Sequence, residues 1–464
     1  MKINKTIQFL LATLLISVGC MGPVSAETII GIFDSGVDPD HKDLEFKIKR
    51  NTLESRNQQD DDHNNAIDDL YGWNLLDEND HIFKHELRGT FPPNIYKYYK
   101  VKTKKTLGTI STQELDWYNN IRKDEEFMKV LKSFKSFIHG THIAGIATNT
   151  EGVYSYLKLK YYPIKYLGKA ESNRWKEPEF SPLKKGTKLQ RYKHIKAFFS
   201  KYCKWQKSKW VRAMQLTHAK TDIINGSFGK SYKSVLTLVA DKYKLEFDVE
   251  PSEDKKQDLA LDFTKKLMKI TTEIASDHKN KLFVFSAGNS KDDNDLKPHY
   301  PSNARWPNII SVGASKQHSE KAYFSNYGKN SVDIFAPGLA ISSTIPTDQY
   351  IRVNGTSQAA PFISNVAAKA LEISRMRKIH LTMAKLKTII LGTVDKKTEL
   401  IDQSVSGGIV NPERVYAAVK LLKKYNITTA IQKALKLVSP INTLDSLNKE
   451  DISESLSLPL PEPF

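Results

Sequence analysis

Thr28-Ile29-Ile30-Gly31-Ile32-Phe33 is a continuous apolar run that ends at Asp34-Ser35-Gly36. A short run of this kind, closed by a turn signal, reads as a strand buried on both faces, as in a parallel sheet. The same type recurs at Leu282-Phe283-Val284-Phe285 before Ser286-Ala287-Gly288-Asn289, and at Asn308-Ile309-Ile310-Ser311-Val312. It recurs again at Asp222-Ile223-Ile224-Asn225 before Gly226-Ser227-Phe228-Gly229. Helical stretches lie between. In Lys265 to Ala275, Leu267, Ile270, Thr271 and Ile274 fall at helical spacing. The alternation predicts an α/β fold with a largely parallel central sheet and helices on both faces. Ligands of such sheets sit at the carboxyl ends of the strands, where Asp34 and Asn289 both lie.

Two further segments carry chemistry: His139-Gly140-Thr141-His142-Ile143-Ala144-Gly145 and Asn354-Gly355-Thr356-Ser357-Gln358-Ala359-Ala360-Pro361. A serine hydroxyl is a weak nucleophile at neutral pH and needs a base within hydrogen-bond reach. A histidine can take its proton and return it to a leaving amine, and a carboxylate can fix the histidine's tautomer. Small residues flank Ser357, so a substrate can approach. Pro361 followed by Phe362, Ile363 and Val366 reads as the first turn of a buried helix, which puts Ser357 at or near a helix N-terminus. The small, apolar run after His139 reads as a closely packed central helix, with His139 just before it.

These segments, in the order Asp, His, Ser, resemble the subtilisin-like serine proteases (subtilases). The resemblance implies a subtilisin-like fold and a serine endopeptidase, with Asp34, His139 and Ser357 as the triad and His142 as a structural residue. It assigns Asn289 as an oxyanion donor beside the Ser357 N–H. It makes Ser227-Phe228-Gly229 and Ser286-Ala287-Gly288 the walls of the substrate site, where the bulky Phe228 suggests an apolar or aromatic preference. Ser406 to Val415 resembles the segment that closes the domain. Protein or peptide substrates are implied, no cofactor is needed for catalysis, and a monomer is expected. Gln358 stands where the family commonly has Met and removes one oxidisable site.

The acidic loop Asp60-Asp61-Asp62-His63-Asn64-Asn65-Ala66-Ile67-Asp68-Asp69 precedes Tyr71-Gly72-Trp73-Asn74. It resembles a loop of many bacterial subtilases. Asp60, Asp62 and Asn64 have the spacing of EF-hand-type calcium loops, with Asp68 a further oxygen, so a structural calcium is expected there. Asn65 replaces the usual glycine, and no Glu closes the loop. A solvated turn is the alternative.

Lys2 and Lys5, the apolar run Phe9 to Val18, and Val24-Ser25-Ala26 read as a secretory signal peptide over residues 1–26. The expected location is secreted, periplasmic or at the cell surface. Lipid attachment at Cys20 is the alternative and the sole route to a membrane. Of two cysteines, cleavage leaves Cys203, so no intramolecular disulfide is expected. Lys201, Lys204 and Lys207 surround Cys203 and could lower its pKa, but it lies far from every motif and is read as inert.

Residues 27–424 form the expected peptidase domain, with Lys- and aromatic-rich insertions at about 87–137, 169–209 and 239–258. A helical stretch and a disordered tail occupy 425–464. The strand at Thr28 leaves no room for an N-terminal pro-domain after residue 26. The net charge of +18 favours anionic partners. The basic insertion 169–209, with Trp175, Tyr192, Phe198, Phe199, Tyr202 and Trp205, is a candidate surface for an anionic partner, although no nucleic acid is required. The plainer reading packs these aromatics onto the domain and leaves the lysines solvated. A non-catalytic binding protein on a degenerate scaffold is a further reading, weakened by the intact triad.

Overall fold

A computed structural model describes residues 27–150, 154–170, 172, 174–183, 185–217 and 221–441. The signal-peptide reading, Cys20 and most of the tail lie outside these residues. The strands are β1 (Thr28–Asp34), β2 (Trp73–Asn74), β3 (Leu159–Lys165), β4 (Ile223–Gly226), β5 (Leu282–Ser286), β6 (Ile309–Lys316), β7 (Glu320–Lys321), β8 (Ile334–Pro337), β9 (Ile341–Ile345), β10 (Gln349–Val353), β11 (Asp395–Lys396) and β12 (Gly408–Ile409). The helices are α1 (Pro93–Leu107), α2 (Thr112–Ile121), α3 (Glu125–Ala147), α4 (Lys188–Thr217), α5 (Tyr232–Phe247), α6 (Glu253–Asp277), α7 (Thr356–Met376), α8 (Met383–Gly392), α9 (Pro412–Leu421) and α10 (Ile427–Leu437).

The central sheet runs β11-β12-β8-β6-β5-β4-β1-β3-β2, with β7 on β6. Its pairings are parallel except β11 on β12 and β7 on β6. From β1 the chain goes to β3 on one side and then crosses to β4 on the other, so the strand order reverses beside β1. In open α/β sheets a crevice forms at such a point. Asp34 ends β1 there.

The apolar runs alternate between two cores, as the period of a strand requires. Ile30, Ile32, Ile223 and Val284 face a core closed by Ile143 and Ala144 of α3, Ile363 and Val366 of α7, Leu386 of α8 and Val415 of α9. Phe33, Ile224, Phe283 and Phe285 face the other, closed by Phe199 and Trp210 of α4, Val235 of α5 and Phe263 of α6.

The three segments expected as insertions fold as follows. Residues 87–137 form α1, α2 and the first half of α3, which build a third core around Ile95, Tyr99 and Phe134 against Ile345 of β9 and Ile351 of β10. Residues 188–217 form the 30-residue helix α4. It buries Phe198, Phe199, Tyr202 and Trp210 while Lys201, Lys204 and Lys207 stay exposed. The region 239–258 is the end of α5 and the start of α6. Cys203 is buried, and burial pushes its thiol up to about 11, opposite to the lowering that its lysine neighbours suggested. No helix among the described residues is long and apolar enough to cross a membrane.

Two expectations are corrected. His139 does not precede its helix. The helix starts at Glu125, capped by the Asp124 side chain on Phe127 N at 3.0 Å, and carries His139 in its interior. The cause is an unbroken apolar stripe, Phe127, Leu131, Phe134 and Ile138, that runs on into His142. Pro361 is not in the first turn either. The helix starts at Thr356, so Pro361 lies five residues further in.

Candidate active site

Asp34 is fully buried at the end of β1, and its Oδ1 lies 2.7 Å from His139 Nδ1. The same oxygen accepts from Ser35 N at 2.7 Å and Ser35 Oγ at 3.2 Å. Gly140 permits this approach of α3 to the β1 turn, because a Cβ there would fall 2.1 Å from the Gly36 carbonyl oxygen and 3.2 Å from Asp34 Cβ. Burial alone would lower the His139 pKa. The charge of Asp34 and its hydrogen bond outweigh that, and the net shift is upward.

Ser357 sits in the first turn of α7, where backbone N–H groups have no intrahelical partner. Its hydroxyl donates to the Ser227 carbonyl at 3.1 Å, and the Ser227 hydroxyl donates to the Ser357 carbonyl at 2.8 Å. Pro361 explains the second bond. An α-helical N–H at 361 would reach the carbonyl at 357, but proline has none, so the Ser227 hydroxyl takes the carbonyl. Asn225 Nδ2 donates to Ser227 Oγ at 3.0 Å, and Ser364 Oγ donates to Asn225 Oδ1 at 2.9 Å, which fixes the arrangement. Among the described residues, no hydrogen bond joins Ser357 to His139. Ser357 is bonded to Ser227, and Ser227 lines one cavity with His139.

The Asn289 amide is oriented by its partners. Its Oδ1 accepts from Thr356 N and Thr356 Oγ1, both at 2.9 Å, and Thr356 Oγ1 also accepts from Gly288 N at 3.1 Å. The exposed Nδ2 is thereby the end left for a ligand. Two N–H donors, Asn289 Nδ2 and Ser357 N, therefore flank the Thr356 position, an arrangement suited to an anionic oxygen.

The expected substrate walls lie at the ends of β4 and β5. Gly226 pairs with Phe285 across them, so Ser227 and Ser286 leave the sheet side by side. Between the walls stands a residue that the motifs did not single out, His299. A Cβ at Gly229 would fall 2.0 Å from His299 Cε1, and one at Gly288 would fall 2.8 Å from its Cδ2. The ring is held by Ser302 Oγ at 3.0 Å from Nδ1, and burial pushes its pKa down to about 4. Phe228 stacks on Tyr166 with centroids 5.2 Å apart. His142 is buried, bonds the Ile351 carbonyl at 3.0 Å and is likewise pushed down to about 4 by burial, as a structural histidine would be.

The acidic loop divides. The Asp60 carboxylate accepts from Asn64 N and Asn65 N, and that of Asp68 accepts from Asn57 N and Gln58 N. Asp62 instead gathers with Glu54 and Asp69, whose oxygens lie within 4.8 Å of one another. Asn64 Nδ2 donates to Asp69 at 3.0 Å, while its buried Oδ1 has no hydrogen-bond partner among the described residues. Burial, joined by the charges of Asp62 and Asp69, raises the Glu54 pKa. Of the four expected ligands, Asp62 and Asn64 are at this cluster, and Asp60 and Asp68 serve the loop backbone. Glu54 and Asp69 lie outside the spacing that pointed to the loop.

Residues 25–408 match the sequence model of the Subtilase family. The chain is 33% identical over 135 residues to subtilisin-like protease 2 of Plasmodium falciparum, covering 29% of this chain and 10% of that protein. It is 34% identical over 145 residues to the extracellular basic protease of Dichelobacter nodosus, covering 30% and 23%. It is 34% identical over 119 residues to thermitase of Thermoactinomyces vulgaris, covering 26% and 38%. The chain thus spans 10–38% of the length of these relatives.

Proposed function

The chain belongs to the subtilase family, and on that premise we propose that it is an exported serine endopeptidase working through Asp34, His139 and Ser357. The observation that carries this reading is the 2.7 Å bond between Asp34 and His139, whose ring lines one cleft with Ser227, the residue that the Ser357 hydroxyl bonds.

In the proposed reaction the Ser357 hydroxyl leaves the Ser227 carbonyl for His139 Nε2. Its oxygen attacks the scissile carbonyl carbon and its proton passes to Nε2. The carbonyl oxygen becomes an oxyanion held by Asn289 Nδ2 and Ser357 N–H. Collapse breaks the C–N bond, the amine leaves with the proton from Nε2, and water reverses the steps to free the acid. Asp34 stabilises the imidazolium while it exists.

Export rests on residues 1–26, and cleavage is expected after Ala26. A cation held by Glu54, Asp62, Asp69 and the Asn64 side-chain carbonyl is also proposed, of a class that suits calcium: oxygen donors only, several of them carboxylate. It would brace the loop before β2 and take no part in bond cleavage.

The function is tested by incubating the protein and its Ser357→Ala form with casein and with a serine-directed phosphonate. Loss of turnover by about 10⁶-fold is expected, the scale seen on removing a subtilisin's serine. Equal cleavage by both forms would place the activity elsewhere.

A further inference from the structure

A cavity of about 470 Å³ opens between His139 and Ser227 and runs back between β3, β4 and α4. Its lining includes Tyr166, Tyr202, Gln206, Lys209 and Lys230, together with Lys135 of α3. Three lysines line it and no Asp or Glu does. Lys209 is buried, with Nζ donating to the Tyr166 carbonyl at 2.8 Å. Lys230 Nζ donates to Tyr202 Oη at 2.9 Å. An ammonium has three donors, so each lysine keeps capacity for a ligand. Among the described residues, neither Lys209 nor Lys230 is in an ion pair. The rest of the lining is largely apolar, with Leu167, Phe228 and Leu267 beside the tyrosines, and Phe228 stacks on Tyr166.

We propose that this cavity seats an acidic side chain of the substrate close to the scissile bond, and that Lys209 and Lys230 make the enzyme selective for Glu or Asp there. The inference rests on the peptidase reading. Buried cations surrounded by aromatic walls are poorly hydrated, and a carboxylate arriving there gains a charge-assisted bond that a neutral amide does not. Burial lowers the pKa of both lysines, Lys209 to about 8. The protein itself supplies a carboxylate of the right kind nearby. Glu177 is exposed on the loop after β3, and its charge acts on both lysines in the opposite sense to burial. Glutamate fits better than a terminal carboxylate, because its methylenes can lie on Phe228 and Leu267 of the lining. The proposed selectivity differs from the apolar or aromatic preference that Phe228 suggested, and the same peptides compare the two.

The test is a set of end-blocked, internally quenched peptides in which each position near the scissile bond carries Glu, Gln, Leu or Lys in turn. For the wild type, kcat/KM with Glu is expected to exceed that with Gln by roughly 10- to 100-fold at one position. In Lys209→Met and Lys230→Met that ratio falls towards one, and Lys230→Glu shifts the preference towards Lys. Because the ratio is taken within each variant, partial loss of folded protein does not alter it. A wild-type ratio of one at every position, or a ratio unchanged in all variants, overturns the inference while leaving the peptidase reading intact. Absence of all cleavage, with Ser357 unlabelled by the phosphonate, overturns that reading and this inference with it.

Discussion

Ser227 and Ser357 exchange hydroxyl-to-carbonyl hydrogen bonds, at 2.8 and 3.1 Å, across the junction of β4 and α7. The shorter bond fills the vacancy that Pro361 leaves in the helix ladder. Ser227→Ala strands the Ser357 carbonyl and is expected to destabilise the fold by about 1–3 kcal/mol. Pro361→Ala returns a backbone donor, so the double variant should lose less than the sum of the single losses. Denaturant melts of the four proteins decide it, and strict additivity would refute the pairing.

Asn289 presents Nδ2 because Thr356 occupies its oxygen twice. Asn289→Ala should lower kcat by about 3–4 kcal/mol of barrier with KM little changed, as removal of an oxyanion donor does in a subtilisin. Thr356→Val frees the amide to rotate and should reproduce part of that loss. A kcat that is unaffected by Asn289→Ala would remove the residue from the reaction.

The pH profile reports on His139. In the proposed reaction it must be neutral to accept the Ser357 proton, and Asp34 raises its pKa above the ordinary histidine value. Activity is therefore expected to fall as pH drops through a value above that of an ordinary histidine. In Asp34→Asn the charge is gone and burial prevails, so the acidic limb moves to lower pH while kcat falls by about 10⁴-fold. Profiles of kcat/KM against pH for both proteins would settle the point, and coincident limbs would count against it.

His299 closes the gap between Gly229 and Gly288. His299→Ala should open that gap and raise the relative kcat/KM for peptides with bulky side chains beside the scissile bond. A variant with unchanged size preference would show that the ring does not bound the substrate.

The carboxylate cluster predicts a calcium-dependent melting temperature. Saturation to 100 times Kd adds about 2.7 kcal/mol, a shift of several degrees for a domain of this size. Glu54→Gln should shrink the shift between calcium and chelator whatever its own stability. Identical melts of the native protein in both conditions would dispose of the cation.

The sheet and the end of β1 were legible because strands buried on both faces leave uninterrupted apolar runs, and Asp34 is attached directly to one. Ser357 was legible through the small residues around it. The start of α3 was harder to read, because Asp124 and the stripe Phe127 to Ile138 fall in a stretch whose lysines and tyrosines look like insertion. Lys209 was hidden for a related reason. Lys201, Lys204 and Lys207 on the same helix are solvated, and only the phase of α4 against β3 turns Lys209 inward. Glu54 and Asp69 meet Asp62 through tertiary packing, with Tyr162 of β3 bonding Asp69 at 2.9 Å, and no local spacing encodes that.

His139 rides on a 23-residue helix whose far end belongs to the insertion core. The fourteen residue steps from Glu125 to His139 make a rod about 21 Å long. A rod transmits tilt. A binding partner, a proteolytic nick or a substitution that leans α1 and α2 against β10 would swing the embedded imidazole relative to Asp34, which makes this segment a lever on the proposed general base.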